Sequence, residues 1–208
     1  AIGMFIHKVL EIIYIKKQTT LDDIQKILDD SWDDNSFENI YQSKEYRKEA
    51  ENIIFEYMKK NPINSEAKFL LEEDIAVNKN SNSYIGKIDR IDILPSGDIS
   101  ILDYKTSKKK KTPGAIKKDI QLAYYSYLLS IYKSEDFDSR IPTSSSLEFV
   151  RDAENPTVSV SFTKEDILDI EEKIENIIKS VLNNNFTPKK NGFCYFCEYK
   201  RLLCPLYK

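Results

Sequence analysis

Asp89, Asp103 and Lys105 stand inside two isoleucine-rich runs, "IGKIDRIDIL" (85–94) and "DISILDYKTSK" (98–108). Burial penalises every charge, so charged groups in so apolar a setting need a reason to be there. Between the runs, Leu94-Pro95-Ser96-Gly97-Asp98 fits a three-residue hairpin loop. Pro95 suits the first central position of a type I turn, and Gly97 the left-handed position that follows. That loop pairs Leu94 with Asp98, and counting back sets Asp89 opposite Asp103 with both side chains on one face. Strand alternation puts Lys105 on the same face, beside Ile99 and Ile101. Two facing carboxylates repel, and a divalent cation removes the conflict. Carboxylate oxygens suit magnesium or manganese, and a cation so held can polarise a phosphate and activate water. Lys105 is then placed to stabilise charge on the phosphate or to position the attacking water. The same three residues also fit a buried salt bridge of Lys105 with the two aspartates, and a one-residue slip of register would part the acids.

The other chemistry-bearing group lies at the far end. Cys194, Cys197 and Cys204 are the chain's three cysteines, spaced C-x2-C-x6-C. In a reducing compartment such clustering predicts metal ligands rather than disulfides. Two thiolates three positions apart reach one metal and a third closes in from the next turn, but a site of four thiolates needs one more. Three reduced cysteines among Phe193, Tyr195, Phe196 and Leu203 is the other reading.

The elements that must position these groups follow from periodicity. Residues 2–17 put Ile2, Phe5, Ile6, Val9, Leu10 and Ile13 at helical spacing, with His7 on the flank of that stripe. Thr20 caps a helix over 21–30, a third helix spans 43–60 and ends near Pro62, and the acidic stretch between them is a loop. The period then changes to two, predicting strands over 68–77, 84–94 and 98–106. Lys108, Lys109, Lys110 and Lys111 follow, and after Pro113-Gly114 a single helix is expected over 115–133. Residues 146–151 and 157–162 read as a second strand pair. Thr163 opens a long helix whose buried stripe is Ile167, Ile170, Ile174, Ile177 and Val181.

The 208 residues suit one domain, and 41% hydrophobic residues suffice for a core. A net charge of −3 gives no global sign of a polyanionic partner, so nucleic-acid contact must come from a local patch. No apolar run nears the roughly 20 residues a bilayer span needs and no secretory leader is seen, which predicts a cytoplasmic protein without membrane partners. The chain opens on Ala1, and Met4 already lies within a helical pattern, so a piece of a longer polypeptide is expected.

"GKIDRID" followed by "ILDYKTSK" resembles the PD-(D/E)XK nucleases, specifically the RecB-like branch that includes RecB- and AddB-type helicase–nucleases and the CRISPR-associated adaptation nucleases. The likeness extends in order along most of the chain. "IGMFIH" resembles the helix with the metal-binding histidine, here His7, and "LEEDIAV" the strand with an extra acidic residue, placed at Glu72 in preference to Glu73. Asp89 matches the acid of GxxD, "DYK" matches D-x-K through Asp103 and Lys105, and "QLAYY" matches QxxxY through Gln121 and Tyr125. The resemblance implies an α/β, restriction-endonuclease-like core: a mixed central sheet flanked by helices, with residues 18–66 as a helical insertion and 186–208 as a Cys-rich C-terminal segment of one domain. It implies a Mg²⁺ or Mn²⁺ ion held by His7, Asp89, Asp103 and the Tyr104 carbonyl, with Glu72 assisting.

Gln121 and Tyr125, four apart on one helix face with Lys117 and Lys118, are expected to hold a DNA strand, and the lysines of 108–111 to follow its phosphates. In relatives with an iron–sulfur cluster, three C-terminal cysteines join a fourth ahead of the histidine helix. The cluster is therefore expected in the intact protein and absent from this chain, which lacks that fourth cysteine. The long spacing from His7 to the acidic strand favours the nuclease domain of a helicase–nuclease in DNA repair or recombination, acting on single strands or duplex ends as exonuclease or endonuclease. The alternatives are a catalytically inactive DNA-binding module attached to a helicase, and a stand-alone CRISPR-adaptation-type exonuclease.

Overall fold

The computed structural model describes residues 2–17, 19–134 and 136–207. The chain divides into two compact units, one through Ile170 and one from Glu171.

The first unit opens with α1 (Ile2–Lys16), whose Ile6, Val9, Leu10, Ile13 and Tyr14 are buried. In α2 (Leu21–Ser31) the Thr20 hydroxyl accepts from the Asp23 amide, closing one of the free N–H groups of the first turn. Asn39 does the same through the Gln42 amide for α3 (Ile40–Lys60). Both helices turn their apolar stripes onto α1: Ile24, Ile27, Leu28, Ala50, Ile54 and Tyr57 join its core cluster, together with Tyr104 and Val150. The helical segment expected as an insertion thus shares one core with the histidine-bearing helix.

Five strands make one mixed sheet in the order β1 (Lys68–Lys79), β2 (Asn82–Ile93), β3 (Ile99–Lys105), β4 (Ser144–Phe149), β5 (Thr157–Val160). The β3–β4 pair is parallel and the others antiparallel. The β2–β3 turn forms as its chemistry dictates: Gly97 takes φ +85°, the Gly97 amide donates to the Leu94 carbonyl at 2.8 Å, and the Leu94 amide donates to the Asp98 carbonyl at 3.0 Å. The register that follows, Ile93 with Ile99 through Arg90 with Leu102, is the expected one.

The parallel connection from β3 to β4 carries two helices where one was expected, α4 (Pro113–Lys117) and α5 (Ile120–Ile131). The physical reason is Asp119. Its carboxylate accepts from the Gln121 amide, which caps a new helix and ends the old one at Lys118.

α6 (Lys164–Leu182) buries Ile167 and Ile170, but Ile177 and Val181 are exposed, so the expected stripe is only partly covered. In the second unit, the stretch after α6 forms short 3₁₀ turns at Gly192–Tyr195, Glu198–Arg201 and Pro205–Tyr207. Phe193, Tyr195 and Phe196 are each more than three-quarters exposed, so they do not bury the cysteines as one reading had it. Among the described residues no helix is long and apolar enough to cross a membrane.

Candidate metal centre

The two sheet ladders lapse at the same place. Leu71 pairs with Arg90 and Glu73 with Ile88, but the intervening Glu72–Asp89 pair is skipped. Glu72 there has φ +50°, a left-handed conformation that costs a non-glycine residue about 1–3 kcal/mol and that clusters at functional sites. On the other side, the β2–β3 ladder ends at Arg90–Leu102, one step before Asp89 and Asp103.

His7 reaches this spot from α1. One nitrogen, Nε2, lies 3.1 Å from the Tyr104 carbonyl and donates to it, which turns Nδ1 towards Asp89 Oδ2 at 3.4 Å, the nitrogen a metal would take. Asp89 Oδ2 also accepts from the Tyr104 amide at 2.8 Å. Ligand atoms of His7, Glu72 and Asp89 all lie within 4.8 Å of one another, the one such group of three among the described residues. Burial raises the Asp89 carboxyl to about 6, and the nearby Asp103 charge adds to this, while His7 and the Tyr104 amide oppose it.

Asp103 is fully buried, and its carboxyl too is raised, first by burial and against the pull of Lys105. Its Oδ1 accepts from Gln121 Nε2 at 2.8 Å, and Gln121 Oε1 in turn accepts from Lys105 Nζ at 3.1 Å. The Lys105 ammonium forms an ion pair with Asp103 Oδ2, an oxygen shielded from solvent. Gln121 Nε2 lies 3.4 Å from the Tyr125 hydroxyl.

An imidazole nitrogen gathered with the Glu72 and Asp89 carboxylates, next to an Asp103 whose burial likewise resists ionisation, fits a hard divalent cation. Of the expected ligands, His7 and Asp89 are gathered with Glu72, Asp103 is engaged by Lys105 and Gln121, and the Tyr104 carbonyl accepts from His7 Nε2.

The expected DNA-binding lysines divide. Lys108 and Lys109 are exposed. Lys110 meets Asp152, Lys111 meets Asp119, and Lys117 Nζ lies 2.6 Å from Asp166, so these three are already neutralised locally. In the second unit the three thiols are free, with Cys197 exposed and Cys194 Sγ accepting from the Asn191 amide at 3.3 Å. They do not close to within 4.8 Å of one another as a group.

The family model for the PD-(D/E)XK nuclease superfamily matches residues 1–205. No curated protein matches the chain. Among solved structures, the crystal structure of SSO0001 is similar over 100% of this chain and 85% of that one, at 15% identity and a TM-score of 0.41, which is too loose to carry an argument.

Proposed function

Because the chain belongs to the PD-(D/E)XK nuclease superfamily, we propose that it is a Mg²⁺- or Mn²⁺-dependent deoxyribonuclease of the RecB-like branch. The observation that supports this most is the meeting of His7, Glu72 and Asp89 beside the Lys105–Asp103–Gln121 chain. His7 Nδ1 and the carboxylates of Glu72 and Asp89 would hold the cation, and Asp103, close enough to raise the Asp89 carboxyl, would be the further acid beside it. Bound there, the cation supplies Lewis acidity and a water acidic enough to attack at neutral pH.

The remaining work falls to the protein. Asp103 and Gln121 hold the Lys105 ammonium in place, where it stabilises negative charge developing on the scissile phosphate. Gln121 and Tyr125 offer a donor and a ring to the strand, and Lys108 and Lys109 offer unpaired charge to its phosphates. The substrate in this reading is DNA as single strands or duplex ends. The chain acts in the cytoplasm as the nuclease part of a helicase–nuclease, and Cys194, Cys197 and Cys204 hold an iron–sulfur cluster completed by a cysteine outside this chain.

Digestion of end-labelled single-stranded DNA with Mn²⁺ tests the catalytic assignment. Lys105→Ala and Asp103→Ala should lose cleavage while keeping the circular dichroism of the folded protein. Undiminished cutting by both variants would refute it.

A further inference from the structure

The β1–β2 ladder skips the Glu72–Asp89 rung and the β2–β3 ladder ends short of Asp89 and Asp103, so at the acids themselves the strands are tied by side chains. The structure points to a single buried cation on the strand next to them. Arg90 is 8% exposed. Its Nε and Nη2 donate to the two Asp92 oxygens at 2.7 and 2.8 Å, and its Nη1 donates to the Tyr104 hydroxyl at 3.0 Å. The guanidinium carbon lies 4.4 Å from the centre of the Tyr14 ring and 5.5 Å from that of Phe69. Those neighbours come from four elements: Tyr14 from α1, Phe69 from β1, Asp92 from β2 and Tyr104 from β3. The same four elements carry His7, Glu72, Asp89 and Asp103.

We infer that Arg90 is the positioning residue of the metal centre, acting through Tyr104. The rest deepens the nuclease reading above and rests on it. The Tyr104 peptide binds the site from both ends, its carbonyl accepting from His7 and its amide donating to Asp89. The phenol end of the same residue is fixed by Arg90. The Tyr104 amide and carbonyl belong to successive peptide units that meet at its Cα, so a shift of this residue's backbone would loosen its contacts with Asp89 and His7 together. Arginine is needed because only a planar fork can grip a carboxylate with one edge, a hydroxyl with another donor, and lie flat on an aromatic ring. Partners of this outer kind typically affect metal affinity by 10–100-fold.

Tyr104→Phe tests this most gently, because it removes only the hydroxyl and keeps the ring and the peptide. Arg90→Lys keeps the charge and loses the fork. Mn²⁺ is titrated calorimetrically into metal-free wild type and variants, and the metal-free proteins are unfolded thermally alongside. The inference expects the Mn²⁺ Kd of Tyr104→Phe to rise about 10-fold or more, with cleavage recovering at high Mn²⁺. A variant that melts earlier but binds Mn²⁺ as wild type does would show Arg90 to be structural only and overturn it. If Arg90→Lys does not fold, Tyr104→Phe decides alone. Wild type that binds no Mn²⁺ sinks the nuclease reading itself, which is a distinct outcome from equal binding by wild type and variant.

Discussion

Replacing Asp89 by Asn should make the metal-free protein more stable while destroying its activity. In the folded protein the carboxyl is raised from an ordinary value of 3.8 to about 6. A group whose folded value is raised binds its proton more tightly folded than unfolded. The carboxylate therefore costs nothing below about pH 4, its cost grows as pH rises towards 6, and it is fully present above that. The difference is about two pH units, each worth about 1.4 kcal/mol, so ionised Asp89 costs at most about 3 kcal/mol at neutral pH. Asn keeps the shape and can still accept from the Tyr104 amide, but it carries no charge to desolvate or to face Asp103.

The assay is thermal unfolding in chelator, wild type against Asp89→Asn, at pH 4.5 and pH 7.5. The expected gain is small at the lower pH and reaches up to roughly 6–12 °C at the higher, since 1 kcal/mol moves a domain of this size by about 2–4 °C. Mg²⁺ should raise the wild-type midpoint at pH 7.5 and leave that of the variant unchanged. An Asn variant less stable than wild type at pH 7.5, or a gain of equal size at both values, would refute the reasoning.

Other perturbations separate the site's parts. A Cβ at Gly86 would sit 2.8 Å from Leu128 Cδ2 and 3.4 Å from Tyr125 Cε1, and Leu128 is fully buried. Gly86→Ala should therefore push α5 outward, destabilise by about 1–3 kcal/mol in urea titration, and slow cleavage by displacing Gln121 and Tyr125. Lys108 and Lys109 carry exposed charge while Lys110 and Lys111 are ion-paired. Removing the first two should lower the salt slope of single-strand binding by about 0.7 per lysine, measured by fluorescence anisotropy in chelator. Removing the second two should lower it less.

Much of this was legible because it rests on local chemistry. Pro95 and Gly97 fixed a turn, and the turn fixed a register from Ile93–Ile99 to Arg90–Leu102 that leads on to Asp89 and Asp103, without any knowledge of the rest of the chain. The α1 stripe was legible for the same reason, since helical spacing alone separates Ile6 and Val9 from His7. What stayed hidden depends on partners distant in sequence or on backbone conformation. The left-handed turn of Glu72 has no signature in its side chain. The pairing of Lys110 with Asp152 and of Lys117 with Asp166 joins residues more than forty apart, so these two lysines looked free when they were not. The grip of Arg90 on four elements required the fold. Asp119 is a miss of another kind. An Asp two residues ahead of Gln121 is a recognisable cap, and its signal was overridden by the apolar periodicity on either side. The stripe of α6 marks the further limit, because periodicity shows which side of a helix is apolar and not whether anything covers it.

His7, Glu72 and Asp89 should together gather one divalent cation. Crystals soaked in Mn²⁺ and measured at a wavelength where manganese scatters anomalously decide this. A single strong peak is expected within coordination distance of His7 Nδ1 and the Glu72 and Asp89 carboxylates. No peak there, or a peak held by other residues alone, would contradict it.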